Sequence, residues 1–207
     1  SSNVGGTAVE RWSGAEALKK CNQTGVVQQS NLWTPWIVPL LPMAVSGWTW
    51  YQAESNVACS TSWRWMPGLN CGIGCTAAQP VCNASIQGCA DFYACQFPAM
   101  IEDWRSKWSA ATHGRTDATF PFGFVQLNSI GNGKVYTNPA DPGDDLSPEF
   151  GYAGLRWSQT ASYGYVPNPA MPNVFMAVSE DTPDVPGPCI GGSGDRCPSP
   201  GYNVHSR

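Results

Sequence analysis

The sequence predicts an α/β fold built around a parallel sheet. Three uncharged segments, residues 45–51, 120–127 and 174–178, predict strands, and the first has the aromatic and β-branched composition of a strand buried on both faces. Segments with helical periodicity lie between them. Strands that alternate with helices are typical of parallel sheets, so we expect one α/β domain.

A cluster of polar side chains follows the first predicted strand. Gln52, Glu54, Ser55 and Asn56 come directly after its aromatic residues. In open α/β sheets ligands bind outside the carboxyl ends of the strands, so these side chains are candidate site residues. The alternative is a polar loop that merely follows a core strand.

The remaining elements follow from periodicity and from breaker residues. Residues 9–18 have one apolar helical face, with a possible break at residues 13–14. Residues 32–41 are apolar but cut by prolines, which predicts a packed irregular run or a short helix. Residues 91–110 predict a long amphipathic helix with Pro98 in its first turn, and a short helix is expected at residues 155–161. The expected buried face of the long helix carries Phe97, Ile101, Trp104 and Trp108, and its outer face carries Glu102, Asp103, Arg105 and Lys107.

Charge and hydropathy exclude several classes of partner. The net charge of −4 and the pI near 5.0 give no electrostatic basis for binding nucleic acid or an anionic membrane. No apolar run in the sequence is long enough to span a bilayer. We therefore expect neither nucleic acid nor a membrane span.

Nine cysteines indicate an oxidising compartment. Most of them lie in a Gly-, Ser- and Pro-rich window that contains neither His nor a Cys-x-x-Cys pair, so disulfides are favoured over zinc and no metal site is predicted. The odd count leaves one thiol free or bonded outside the chain. No cofactor is expected.

Two sequons, at Asn22 and Asn83, predict glycosylation and agree with this compartment. The chain has no signal peptide or initiator Met, so Ser1 is interpreted as a processed or truncated start. The expected location is secreted (extracellular) or lysosomal.

Six segments, in one consistent order along the chain, resemble the sialate O-acetylesterase family. They are residues 5–12 (GGTAVERW), 50–56 (WYQAESN), 95–105 (CQFPAMIEDWR), 120–127 (FPFGFVQL), 156–160 (RWSQT) and 165–178 (YVPNPAMPNVFMAV). The resemblance implies a three-layer α/β hydrolase domain of the Ser-Gly-Asn-His (SGNH) type, incomplete in this chain. Residues 1–207 would form this single partial domain, with disulfide-rich loop insertions that include a cysteine-rich one at about 58–94. The implied reaction is hydrolysis of O-acetyl esters on sugars, typically sialic acids, through an acyl-serine intermediate.

The resemblance also assigns catalytic roles. His205 matches the catalytic His of the family, and Asp195 matches an acid partner, with Asp181 at a strand end as the alternative. Gly5 and Gly6 match a turn whose backbone N–H is expected in the oxyanion hole.

The segment after the first strand matches a Gln-Gly-Glu block of the family, in which Gln52 and Glu54 line the site. Their alternative role is to hold the loop together by hydrogen bonds. Ala53 replaces the family Gly, which adds a methyl group where positive φ or close approach is expected. Arg156 and Gln159 match a further family pair, and an ion pair between Arg156 and Glu54 is a hypothesis.

The nucleophile of the family lies in a Gly-Gln-Ser-Asn block ahead of the Gly-Gly-Thr turn, and this chain begins at that turn. Ser30 imitates part of the block but follows the turn, and no predicted strand leads into it, so it is rejected. Ser55 also does not match the position of the family's serine nucleophile. The expected partners are therefore the remaining segments of the same esterase, together with an O-acetylated glycan substrate.

A non-catalytic alternative remains open. The additional cysteines, Ala53, and Tyr202 and Asn203 in place of the Asp that precedes His in many relatives favour a secreted glycoprotein scaffold or binding module derived from the esterase fold.

Overall fold

A computed structural model describes residues 4–5, 7–22, 29–57, 86–127 and 151–179 of the chain. Its strands are β1 (Trp48–Trp50), β2 (Phe122–Gln126) and β3 (Val174–Val178). Its α-helices are α1 (Ala15–Lys20), α2 (Glu54–Val57), α3 (Ile86–Ala111) and α4 (Gly151–Ser158). Two short 3₁₀-helices, Val9–Trp12 and Val38–Leu40, and one π-helical segment, Trp33–Ile37, complete the described elements.

The three described strands form one parallel sheet, as the sequence predicts, and their order in it is β1-β2-β3. Thr49, Gly123 and Phe175 are neighbours in register across it. A Cβ atom at Gly123 would lie 2.2 Å from the ring of Phe175, so a larger residue here would have to displace that ring. The ring of Phe175 thus takes the space that a side chain on the central strand would occupy.

One face of the sheet carries the core. Helix α3 packs against this face, and α1, α2 and α4 each pack against α3. On the opposite face, Thr49, Phe175 and Ala177 are exposed in the part of the chain that the structure describes. The described residues thus supply the sheet and one layer of helices, which positions the carboxyl ends of the strands beside the helix layer.

The first strand is shorter and less buried than predicted. The strand predicted at residues 45–51 spans only three residues in the structure. The predicted burial on both faces was also wrong for the described residues. Trp48 and Trp50 are half-buried and Thr49 is exposed. The physical reason is that only one face of β1 is covered among the described residues, where the Trp48 ring lies 5.3 Å from the ring of Trp104.

The long helix is confirmed, and its apolar face lies where the periodicity predicts. All four residues of that face, Phe97, Ile101, Trp104 and Trp108, are buried. The helix begins earlier than predicted, so Pro98 lies inside α3 instead of in its first turn. Since proline has no N–H, this helix lacks one backbone hydrogen bond at that position.

Two charged residues predicted on the outer face of α3 are instead buried. Asp103 forms an ion pair with Lys107. The Arg105 guanidinium donates to the carbonyl oxygens of Phe120, Pro172 and Asn173, which lie just before β2 and β3. Burial lowers the pKa of Arg105, and the negative charge of Asp117 opposes that shift. Periodicity could not reveal these roles because the carbonyls that Arg105 satisfies are remote in sequence.

The N-terminal elements agree with the sequence prediction. The 3₁₀-helix Val9–Trp12 and α1 are separated at Ser13 and Gly14, and Trp33–Ile37 and Val38–Leu40 are the short packed helices expected in the proline-rich run. A disulfide between Cys21 and Cys95 joins the end of α1 to α3. Cys89 lies on α3, and the remaining six cysteines lie outside the described residues, as do residues 58–85 of the predicted insertion.

Candidate functional site

The candidate site begins where β1 ends. Gln52 is buried, and its Nε2 donates to the backbone carbonyl of Thr7 at 3.0 Å and to Oδ1 of Asn56 at 2.7 Å. The strand end is thereby tied to the turn that precedes the first 3₁₀-helix. Two of the segments that match the family, residues 5–12 and 50–56, are therefore in direct contact.

The orientation of these amides follows from a backbone donor. The N–H of Val9 donates to Oδ1 of Asn56 at 3.0 Å, which identifies that atom as an acceptor. The opposite end of the amide, Nδ2 of Asn56, donates to Oε2 of the buried Glu10 at 3.0 Å. The atom of Gln52 that faces Asn56 must therefore be its donor, Nε2.

A buried tyrosine from α3 completes this network. The hydroxyl of Tyr93 donates to Oε1 of Gln52 at 3.2 Å. Burial raises the pKa of Tyr93 well above its usual value, and the negative charges of Glu54 and Glu10 add to the rise, while the nearby Trp50 opposes it. The phenol therefore stays protonated and remains a donor at neutral pH.

The predicted oxyanion turn is anchored through Thr7. Its hydroxyl donates to the carbonyl of Val4 at 2.8 Å and accepts from Nε1 of Trp12 at 2.8 Å. Among the described residues, no atom lies within 4 Å of the place where a side chain on Gly5 would begin. Gly6 lies outside the described residues.

Lining the site and holding the loop together, the two alternative roles of Gln52, require different contacts. Both amide hydrogens and the carbonyl oxygen of Gln52 are bonded to protein groups, namely to Thr7, Asn56 and Tyr93. A buried side chain with this set of partners holds a loop in place and has no remaining donor for a substrate. Glu54, at the start of α2, is half-buried and interacts electrostatically with Tyr93.

Ala53 adopts a backbone conformation that favours glycine. Its φ is 134° and its side chain is fully buried. The positive φ expected at this position of the Gln-Gly-Glu block is therefore confirmed, with alanine in place of glycine. The strain lies between Gln52 and Glu54, the two residues that the resemblance assigns to the site.

Gln159, one of the pair with Arg156 that matches the family, binds the end of β2. Oε1 of Gln159 accepts from the N–H of Leu127 at 3.0 Å, and its Nε2 donates to the carbonyl of Val125 at 3.1 Å. Arg156 lies on α4, which packs against the helix that carries Glu54. The ion pair between Arg156 and Glu54 stays a prediction.

The hydroxyl and the N–H of Ser30 are both hydrogen-bonded to backbone carbonyls. Its hydroxyl donates to the carbonyl of Ser13 at 2.7 Å and its N–H donates to the carbonyl of Glu10. These contacts support the rejection of Ser30 as a nucleophile, which stays a prediction.

Several predicted site residues belong to parts of the chain that the structure does not describe. His205, Asp195 and the alternative acid Asp181 lie outside the described residues, as does the sequon residue Asn83. Asn22 is exposed directly after α1. Among the described residues no cluster of His, Cys, Asp or Glu could hold a metal ion, and no helix is long and apolar enough to cross a membrane.

Sequence reasoning missed Tyr93, Thr7 and Glu10. Tyr93 precedes the predicted apolar face of α3 and resembles any other core aromatic. Glu10 offered a signal, because it lies between the apolar residues Val9 and Trp12, and a carboxylate is buried only with polar partners. The residue types alone do not reveal which polar atoms meet.

The chain is similar to curated sialate O-acetylesterases. It is 37% identical to that of Homo sapiens over 194 residues, which cover 88% of this chain and 29% of the relative. It is 32% identical to that of Mus musculus over 221 residues, which cover 89% of this chain and 33% of the relative. This chain therefore spans about a third or less of the relatives it matches.

Among solved structures, the chain is similar to a carbohydrate acetylesterase from Xanthomonas citri, with a TM-score of 0.50 and 27% identity. The match covers 87% of this chain and 30% of that one. No family model matches the chain. The α/β fold and the resemblance to the sialate O-acetylesterase family that the six motifs predict are thus confirmed over most of this chain.

Proposed function

We propose that this chain is part of a carbohydrate O-acetylesterase that hydrolyses O-acetyl esters, typically on sialic acids. The observation that carries the proposal is the 37% identity to the human sialate O-acetylesterase over 88% of this chain. The tie between the Gly-Gly-Thr turn and Gln52 supports it, because an esterase needs a fixed donor for the oxyanion.

The proposed reaction is acyl transfer. A serine outside this chain attacks the acetyl carbonyl carbon while His205 accepts the serine proton, and Asp195 orients the imidazole. Backbone N–H groups of the turn at Gly5 and Gly6 stabilise the oxyanion, and His205 then protonates the departing sugar oxygen. Water deacylates the serine in the second half of the reaction and releases acetate.

We also propose a secreted or lysosomal glycoprotein. The disulfide between Cys21 and Cys95 and the exposed position of Asn22, the acceptor of the first sequon, support this proposal. We expect treatment with an N-glycosidase to lower the mass of the native protein. We expect the corresponding glycan to be absent from each of the variants Asn22→Gln and Asn83→Gln. An unmodified protein from its native source would contradict it.

Acetate release from an O-acetylated sialic acid tests the enzyme proposal directly. The sequence contains two histidines, and His113 is exposed just beyond α3, so it supplies a matched control. We expect His205→Ala in the native protein to lower kcat by roughly a thousandfold or more, and His113→Ala to leave it unchanged. Equal activity of the two variants would contradict the assignment of His205.

A second candidate function is a non-catalytic scaffold or glycan-binding module. The observation that favours it is the strained Ala53 where the esterase block has glycine. This candidate predicts retained binding of the acetylated glycan without release of acetate. Measurable turnover by the wild-type protein would exclude it.

A further inference from the structure

The buried contacts around Gln52 form a continuous path from the long helix to the turn at residues 5–7. The path runs from the Tyr93 hydroxyl to Oε1 of Gln52, and from Nε2 of Gln52 to the carbonyl of Thr7. Tyr93 and Gln52 are both buried. Water cannot readily replace a lost partner at such a site, so each bond constrains the next group.

We infer that Tyr93 is a positioning residue for the esterase reaction, acting through Gln52 to hold the backbone at Thr7 in the geometry that presents the oxyanion donors. The inference rests on the proposed function. Tyr93 lies remote from the turn in sequence, and among the described residues its hydroxyl is linked to the turn through the amide of Gln52.

Two features make Tyr93 suited to this role. It lies on α3, whose neighbouring residue Cys95 is cross-linked to Cys21 after α1, so the helix that supplies the hydroxyl is fixed covalently. The ring of Tyr93 packs 5.3 Å from the ring of Phe97 on the same helix. A rigid support of this kind is needed because a displacement of about 1 Å at a reacting group can cost about a hundredfold in rate.

A second branch of the network constrains the same segment. Asn56 accepts from the N–H of Val9 and from Gln52, and donates to Glu10. Without the Tyr93 hydroxyl, Oε1 of Gln52 loses its buried donor, and the amide is held only from its Nε2 side, by Thr7 and Asn56. The expected effect is therefore a change in the turn and not a local cavity.

The test is Tyr93→Phe in the native protein, which removes one oxygen and preserves the ring. We expect kcat for acetate release to fall roughly tenfold, with KM unchanged, because the donors act on the transition state. The control is Ile101→Val, a buried apolar substitution on the same helix that removes no hydrogen-bonding group. It lowers the thermal midpoint without changing kcat.

Hydrogen–deuterium exchange of the peptide that contains Thr7 and Val9 supplies a readout that does not depend on activity. We expect faster exchange there in Tyr93→Phe and no change in Ile101→Val. An active enzyme whose kcat is unaffected by Tyr93→Phe would overturn the inference, as would unchanged exchange in that peptide. A wild-type protein without turnover would refute the proposed function instead, and the exchange comparison would still judge whether Tyr93 holds the turn.

Discussion

The side-chain amide of Gln52 donates to the backbone carbonyl of Thr7 at 3.0 Å, although the two residues are 45 positions apart. This bond joins the carboxyl end of β1 to the turn before the first 3₁₀-helix. A buried amide bond of this kind contributes little net free energy when it is made, but its loss leaves a costly unpaired group. The bond therefore specifies where the turn lies more than it stabilises the fold.

Replacing Gln52 should destabilise the protein clearly. Gln52→Ala leaves the Thr7 carbonyl and the Tyr93 hydroxyl without their partner, and we expect a loss of about 2–4 kcal/mol in the free energy of unfolding. Chemical denaturation of the native protein measures this. Glu16→Ala, on the exposed side of α1, is the control. Surface substitutions change the free energy of unfolding by about ±0.5 kcal/mol or less. A loss within that range for Gln52→Ala would mean that these hydrogen bonds do not stabilise the fold.

Ala53→Gly should stabilise the protein. Relief of the backbone strain at a φ of 134° is worth about 1–3 kcal/mol, which exceeds the loss of one buried methyl at about 0.8 kcal/mol. Greater freedom of glycine in the unfolded chain reduces the net gain to roughly 1 kcal/mol or less. The control is Ala99→Gly inside α3, where φ is helical and a loss of about 1 kcal/mol is expected. If both variants lower the thermal midpoint equally, the strain argument is wrong.

Arg105→Lys should cost stability even though the charge is kept. The guanidinium donates to three carbonyl oxygens, those of Phe120, Pro172 and Asn173, and a single ammonium group cannot reach all of them. We expect a loss of about 2–3 kcal/mol by chemical denaturation. Arg115→Lys, at an exposed position, should change little. Comparable effects of the two substitutions would show that Arg105 acts through its charge alone.

The stability of the protein should fall at alkaline pH because of Tyr93. Its pKa is raised in the folded state, so its contribution is fully present below the unfolded value of 10.0 and is lost as the pH rises above that value. Thermal midpoints measured from pH 8 to pH 11.5 should therefore decline less steeply in Tyr93→Phe than in the wild type. Tyr163→Phe, at an exposed tyrosine, should retain the wild-type slope. Parallel slopes in all three proteins would contradict the burial argument.

The elements that depend on local pattern were predictable from the sequence. The parallel strands and the apolar face of α3 follow from composition and periodicity, and the break at Ser13 and Gly14 follows from residue type. The positive φ at Ala53 followed from the glycine that the family motif has there. These features need no knowledge of which distant residues meet.

The parts that were not predictable depend on distant contacts. Arg105 reads as a solvated charge in any helical projection, and only the carbonyls brought to it by the segments before β2 and β3 explain its burial. Tyr93 reads as an ordinary core aromatic until its hydroxyl is found on Gln52. The burial of β1 was overestimated because composition cannot reveal which face of a strand is covered.

The most direct test of the esterase proposal is labelling of the native protein with a fluorophosphonate, which reacts with activated serine nucleophiles, followed by mapping of the modified peptide. We expect the label on a serine in a Gly-Gln-Ser-Asn peptide outside these 207 residues, with labelling lost in His205→Ala and kept in His113→Ala. A label on Ser30, or no label on folded protein beside a reactive control esterase, would contradict the account.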